Sequence, residues 1–75
     1  MVKIMFRPII DQRRYYISRA NAGLANKDLI KKAGISQKVI DRIGSGKWVQ
    51  AVTVGKIAKA LGVSVEYLLS DEAPK

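Results

Sequence analysis

Apolar positions recur with a helical period along most of this chain, and the pattern is clearest in Asn26–Ile43, NKDLIKKAGISQKVIDRI. Leu29 and Ala33 are spaced to face inward while Lys27, Lys31 and Lys32 face out, which predicts a short helix over about Lys27–Ala33 with Asn26 as its cap. Ile40 and Ile43 predict a second helix over about Gln37–Ile43. Gly34 stands where the first must end, because glycine accepts the left-handed backbone of such an ending. Ser36 is placed to cap the second by accepting a bond from a free N–H group, with Ile35 and Ile40 as a hydrophobic staple around it. Two short helices joined by Gly34-Ile35-Ser36 form a helix-turn-helix pattern.

The flanking sequence supplies three more helices. Val2, Ile4 and Phe6 alternate with Met1, Lys3, Met5 and Arg7, a weak period of two that fits an edge strand or a basic arm, although such ends are usually frayed. Pro8 suits the first position of a helix, where its missing N–H is no loss. That helix is predicted over about Pro8–Ala22, with Ile10, Ile17 and Leu24 as an inward stripe beside Tyr16 and Ala20. Tyr15 and Tyr16 read as packing residues with surface hydroxyls rather than stacking platforms for bases. Trp48 opens a loop and is expected to cover the edge of the core, with contact to a sugar-phosphate backbone as the alternative. Val54, Ile57, Ala58 and Leu61 predict a helix over about Ala51–Leu61, with Lys56 and Lys59 in solvent. Gly55 within it suggests close packing, since glycine there costs about 1 kcal/mol relative to alanine. Gly62 ends that helix, and Ser64 caps a fifth over about Val65–Leu69, with Val63 and Leu68 as its staple. The expectation is an all-α, compact five-helix bundle. It forms one domain over residues 1–75, with a core at about 8–70 and flexible ends at 1–7 and 71–75.

Charge narrows the choice of partner. The chain has 14 Lys and Arg against 6 Asp and Glu, a net charge of +8. Up to Val63 the net is +10, and from Ser64 onward it is −2. A body this basic favours polyanions, nucleic acid before an anionic membrane. Cysteine and histidine are both absent, which removes thiolate metal ligands, disulfides and the commonest general base. The six acids are scattered, so neither an enzyme nor a metal or cofactor site is expected. No apolar run is long enough to span a bilayer, and a cytoplasmic protein with no membrane association is expected. Helices this short, capped and mutually packed do not suit a membrane-surface peptide.

The residues with chemistry gather on the helix-turn-helix. Ser36, Gln37, Lys38, Asp41 and Arg42 share the face opposite Ile40 and Ile43. Glutamine can bond adenine at N6 and N7, and lysine or arginine can bond guanine at O6 and N7, so this face suits base reading in the major groove. Asp41 could accept from a cytosine amino group, but an ion pair steering Lys38 is the better reading. Lys27 lies at a helix N-terminus, where free N–H groups and the positive end of the dipole meet a phosphate. In Gly44-Ser45-Gly46-Lys47, Ser45 and Lys47 offer phosphate donors. The run is not a nucleotide-binding P-loop, because the glycine spacing and the preceding strand are missing.

Three segments resemble the phage-repressor-like (Cro/Xre-type) helix-turn-helix DNA-binding family: GLANKDLIKKAGISQKVIDRI, the Gly46-Lys47 loop and the ending IAKALGVSVEYLL. The resemblance covers about Ile17–Leu69 and is most specific in the last segment. It implies a five-helix bundle that binds a specific double-stranded DNA operator, commonly as a homodimer on a palindromic site. By similarity Gln37, Lys38 and Arg42 fall at base-reading positions, and Asn26, Ser45 and Lys47 at phosphate-contacting positions; Ser36 is also expected to contact a phosphate. The chain departs from the family in having Ile30 where a small residue is usual. Gly44 and Arg19 stand where the family often pairs a glutamate at the end of the recognition helix with a basic residue on the first helix of the bundle, so Arg19 is expected to turn to a phosphate. Gln50–Val54 lacks the usual loop proline.

The first functional expectation is therefore a transcriptional regulator, most simply a repressor that occupies a promoter. The second is an interaction module of the same fold, such as an antitoxin or a protein adaptor. Its surface would be the last helix, where Val65, Tyr67, Leu68 and Leu69 exceed the needs of a small core and would also serve as a dimer seam.

Overall fold

The computed structural model describes residues 7–69. The period-two pattern at Met1–Phe6 and the polar tail after Leu69 lie outside the described residues. Five helices follow one another: α1 Gln12–Ala22, α2 Asn26–Ala33, α3 Gln37–Gly44, α4 Ala51–Leu61 and α5 Val65–Leu68. α4 is the hub. It packs on α2, α5 and α1, and α2 carries α3. Val54 and Ile57 of α4, Leu29 of α2 and Leu68 of α5 are completely buried. Ile40 and Ile43 of α3 and Val49 of the following loop join them in a single apolar cluster. Ile30 and Ala33 are half-buried against it, so the large side chain at position 30 is accommodated at the rim of the core.

The first helix differs from its expected form. It begins at Gln12, not Pro8, because Asp11 caps it: the Asp11 carboxylate accepts from the Arg14 N–H at 2.9 Å. Pro8 and Ile10 instead serve as extended backbone. The Pro8 carbonyl accepts from Val49 N–H at 2.9 Å, and Asp11 N–H donates to the Leu68 carbonyl at 2.7 Å. Ile10 makes an antiparallel bridge with Leu69. Arg14 adds bonds from Nη1 to the Tyr67 and Leu69 carbonyls, each 3.3 Å. The segment before α1 is thus clasped to α5.

The inward stripe of α1 also shifts. Tyr15 and Ser18 are buried, whereas Tyr16 is 63% exposed and Ile17 is 37% exposed. Ala20 is exposed and Leu24 half-buried. Tyr15, Tyr16, Ile17 and Ala20 are spread round the helix, so the apolar residues alone define no face.

The last helix is four residues long and is capped as expected, with Ser64 Oγ accepting from Tyr67 N–H at 3.1 Å. Its apolar residues are needed inside. Leu68 is fully buried, Val65 and Leu69 pack against the core, and Tyr67 alone of the four is exposed, at 40%. The surface expected there for a partner or a dimer seam is largely consumed by the fold.

Gly55 does not mark close packing, since a Cβ added there would meet nothing within 4 Å. Gly55→Ala should therefore stabilise the protein by about 1 kcal/mol, through helix propensity and a stiffer unfolded chain. A thermal melt checks this, and an unchanged or lower midpoint would reveal a constraint at this position that the open space does not show.

Candidate nucleic-acid interface

The helix-turn-helix is built by backbone endings at both junctions. Gly34 adopts φ 70°, and the N–H groups of Gly34 and Ile35 both bond the Ile30 carbonyl, at 3.0 and 3.1 Å. This closes α2 and turns the chain towards α3. Ser36 takes the N-cap position of α3 with extended backbone, but its hydroxyl makes no capping bond. The Ser36 main-chain carbonyl accepts from Val39 N–H at 3.1 Å instead, a tight closure that leaves the exposed hydroxyl available outward.

α3 ends in the same way. Gly46 adopts φ 71°, Gly46 N–H bonds the Ile43 carbonyl at 3.1 Å, and Lys47 N–H bonds the Arg42 carbonyl at 2.9 Å. In this type of ending the residue after the glycine usually packs back on the helix. Leu24, Ile35 and Val63 do so at the ends of α1, α2 and α4, each half-buried against the core. After α3 that position holds Lys47, which is exposed. A cation stands where the fold elsewhere places an apolar contact.

The exposed side of α3 carries Gln37, Lys38 and Asp41, with Ser36 before it and Arg42 half-buried at its far end. Asp41 does not steer Lys38 as expected. Its carboxylate accepts from Gln37 Nε2 at 3.0 Å, and Gln37 and Lys38 both lie within reach of Asp41 on the same helical face. The bond fixes the Gln37 amide while leaving its Oε1 and one N–H for a base edge. Lys38 keeps its ammonium group in solvent.

Arg42 has two allegiances. Its Nε donates to the Trp48 carbonyl at 2.8 Å, and its guanidinium lies 5.1 Å from the Trp48 ring centroid. Nη1 and Nη2 make no hydrogen bond among the described residues and remain open to an acceptor. Trp48 is half-buried and also has Arg7 over its ring, at 5.4 Å. The ring thus covers the core edge, as expected, and collects two guanidinium groups by cation–π attraction as well. Ser36, Lys38, Val39, Arg42, Trp48, Val49, Gln50 and Thr53 together line an open cleft of about 330 Å³ beside α3. Gln50 and Thr53 carry no signal of their own in the sequence, and Arg7 carries only that of a basic arm. The first two are legible only once α4 is docked, and Arg7 meets Trp48 across about half of the chain.

A second set of groups sits at the start of α2. The helix begins at Asn26 and its cap is Ala25, one residue earlier than expected. Asp28 accepts from Ala25 N–H at 3.1 Å. The Asn26 side chain is engaged elsewhere, with its Oδ1 accepting from Tyr15 Oη at 2.9 Å. Burial raises the pKa of the Tyr15 phenol above its ordinary value, against the pull of the nearby Arg19 guanidinium. With its oxygen engaged, exposed Asn26 is left with the two N–H donors of its amide for an anion. Lys27 is exposed beside it in the first turn.

Arg19 is not free in the way expected. Its Nη1 donates to the Leu24 carbonyl at 3.1 Å, and its guanidinium lies 5.6 and 5.5 Å from the rings of Tyr15 and Tyr16. It secures the end of α1, which leaves less of it for a phosphate. Ser45 and Lys47 are both exposed on the loop after α3, at the opposite end of that helix from Ser36 and Gln37.

The comparisons with known proteins can be set against this geometry. Among the described residues no helix is long and apolar enough to cross a membrane. A crystal structure of the transcriptional regulator VanUg (form II) superposes with a TM-score of 0.71 over 93% of this chain and 95% of that one, at 11% identity. At that identity the likeness shows the fold. No curated protein matches the chain by sequence. The profile of Cro/C1-type HTH DNA-binding domains matches residues 17–74, a span that takes in the end of α1, both helices of the helix-turn-helix, α4 and α5. This chain therefore belongs to the Cro/C1-type helix-turn-helix DNA-binding domain family.

Proposed function

We propose that this protein is a transcriptional regulator in the cytoplasm that reads a specific operator with α3 and represses by occupying a promoter. It acts as a homodimer on a palindromic site and carries no catalytic chemistry of its own. The observation that carries this reading is the division of labour on the surface. Gln37 and Lys38 are exposed on α3, and in chain order they fall between two exposed sets of candidate phosphate donors: Asn26 and Lys27 at the start of α2, and Ser45 and Lys47 after α3. Cations on the rim release counterions and set affinity, while the α3 face sets sequence preference. VanUg, described as a transcriptional regulator, shares the fold and agrees with this reading.

Selection from a random duplex library, with affinity followed against salt, tests it. A recovered palindrome with half-sites about 34–36 Å apart, one helical turn, supports a dimeric operator reader. Salt-sensitive binding without any enriched sequence would reject operator reading. Lys47→Ala should weaken binding to all sequences and flatten the salt slope by about one unit. An unchanged slope would remove Lys47 from the phosphate contacts.

A further inference from the structure

We infer that the groove between α2 and α4 is a docking site for an acidic, partly apolar peptide segment of a partner protein. The groove has a volume of about 380 Å³ and is lined by Lys32, Ala33, Lys56, Lys59 and Ala60. It shares no lining residue with the cleft beside α3. Two alanines make its floor, three lysines its rim, and no carboxylate lies in its lining.

Helix electrostatics account for part of this arrangement. Lys32 and Lys59 stand in the last turns of α2 and α4, where a cation offsets the helix dipole. Lys56 is too far from the end of α4 for that. One turn before it on the same side of α4 is Val52, 71% exposed and the most exposed large hydrophobic residue among those described. Positions 52, 56 and 59 form a single stripe on α4, with Val52 one turn before the two lysines that line the groove.

This pattern discriminates between polyanions. A DNA duplex could touch the rim lysines, but its phosphates offer nothing apolar to the alanine floor of this open groove. Val52 would gain nothing from phosphate. An extended or helical peptide can place carboxylates on Lys32, Lys56 and Lys59 and an apolar side chain on Val52. The charge is complementary, and the lysine stems supply apolar contact as well. The proposal does not depend on how α3 reads DNA.

The test is a titration of the intact, ¹⁵N-labelled chain with a short synthetic peptide of repeating Glu-Glu-Leu, followed by amide chemical shifts. Saturable shifts should cluster at Lys32, Ala33, Val52, Lys56, Lys59 and Ala60. The combined variant Lys32→Ser, Lys56→Ser, Lys59→Ser replaces exposed side chains only, and it should weaken the peptide about tenfold or more while leaving duplex affinity within about threefold. Val52→Ser should weaken the same peptide but not one of repeating Glu-Glu-Ser. Three results would overturn the proposal: no saturable shifts, shifts centred on Gln37, Lys38 and Lys47 that duplex DNA abolishes, or a triple variant that loses peptide and duplex alike. The second would mean general charge attraction to the reading face, and the third would assign the groove to the DNA footprint.

Discussion

Leu29→Ala is expected to cost about 2–5 kcal/mol of folding stability, the range for deleting most of a fully buried leucine side chain. Leu29 has no exposed surface and lies on the face of α2 that meets α4. The loss has two parts: the transfer energy of the missing methyl groups and a cavity that neighbours can close only in part. Domains of this size hold roughly 0.05–0.15 kcal/mol per residue, so the variant would keep little margin. Urea titration measures the effect, with a lower midpoint at an unchanged slope. DNA binding should fall with the folded fraction and recover in part at high duplex concentration, because ligand binding draws the equilibrium back. A cost below about 1 kcal/mol would show that the α2–α4 contact collapses around the gap.

The second large effect concerns Arg42, and it separates two roles that lie on one residue. If Arg42 only read a base, its loss would matter at the preferred site alone. Its bond to the Trp48 carbonyl and its position over the indole also tie the Ser45–Lys47 loop to α3. Arg42→Ala should therefore cost about 2–4 kcal/mol on a preferred duplex and about half of that on a scrambled one. Arg42→Lys should rescue little, since lysine has no planar Nε to reach the carbonyl while stacking on the ring. Gln37→Ala provides the contrast, with about 1–3 kcal/mol lost on the preferred duplex and little on the scrambled one. Paired binding isotherms on the two duplexes make the comparison. Wild-type binding by Arg42→Lys on both would show that the tie to Trp48 is dispensable.

These two residues mark what is legible in the sequence. Leu29 is, because its spacing from Ala33 and the lysines around it admit one inward face. The turn is also legible, because Gly34 and Ser36 punctuate it and each has a local reason to be there. The start of α1 is not. Pro8 and Asp11 are both acceptable helix starts in isolation, and the pairing of Ile10 with Leu69 decides between them. The cap of α2 lies one residue from its expected place for a similar reason, since Asn26 is recruited by Tyr15 from a different helix. Asp41 takes Gln37 rather than Lys38 although both are within local reach, and sequence spacing does not rank them. The candidate base-reading and phosphate-contacting residues can be named from local pattern and family resemblance. The links that hold them in place, Arg42 to Trp48 and Tyr15 to Asn26, are tertiary, and local periodicity carries no record of them.

The clasp between Ile10–Asp11 and Leu68–Leu69 has a consequence for how the protein is made. It joins residues near opposite ends of the described chain, so its closure carries the largest loop entropy in the fold. The helix-turn-helix forms from neighbours in sequence and can assemble early, but the clasp must wait for α5. On the ribosome, the nascent chain can therefore shape α3 before it can lock Ile10 and Asp11 in place. Until Leu68 and Leu69 leave the exit tunnel, Ile10 remains an unmatched apolar residue at the front of an incomplete bundle.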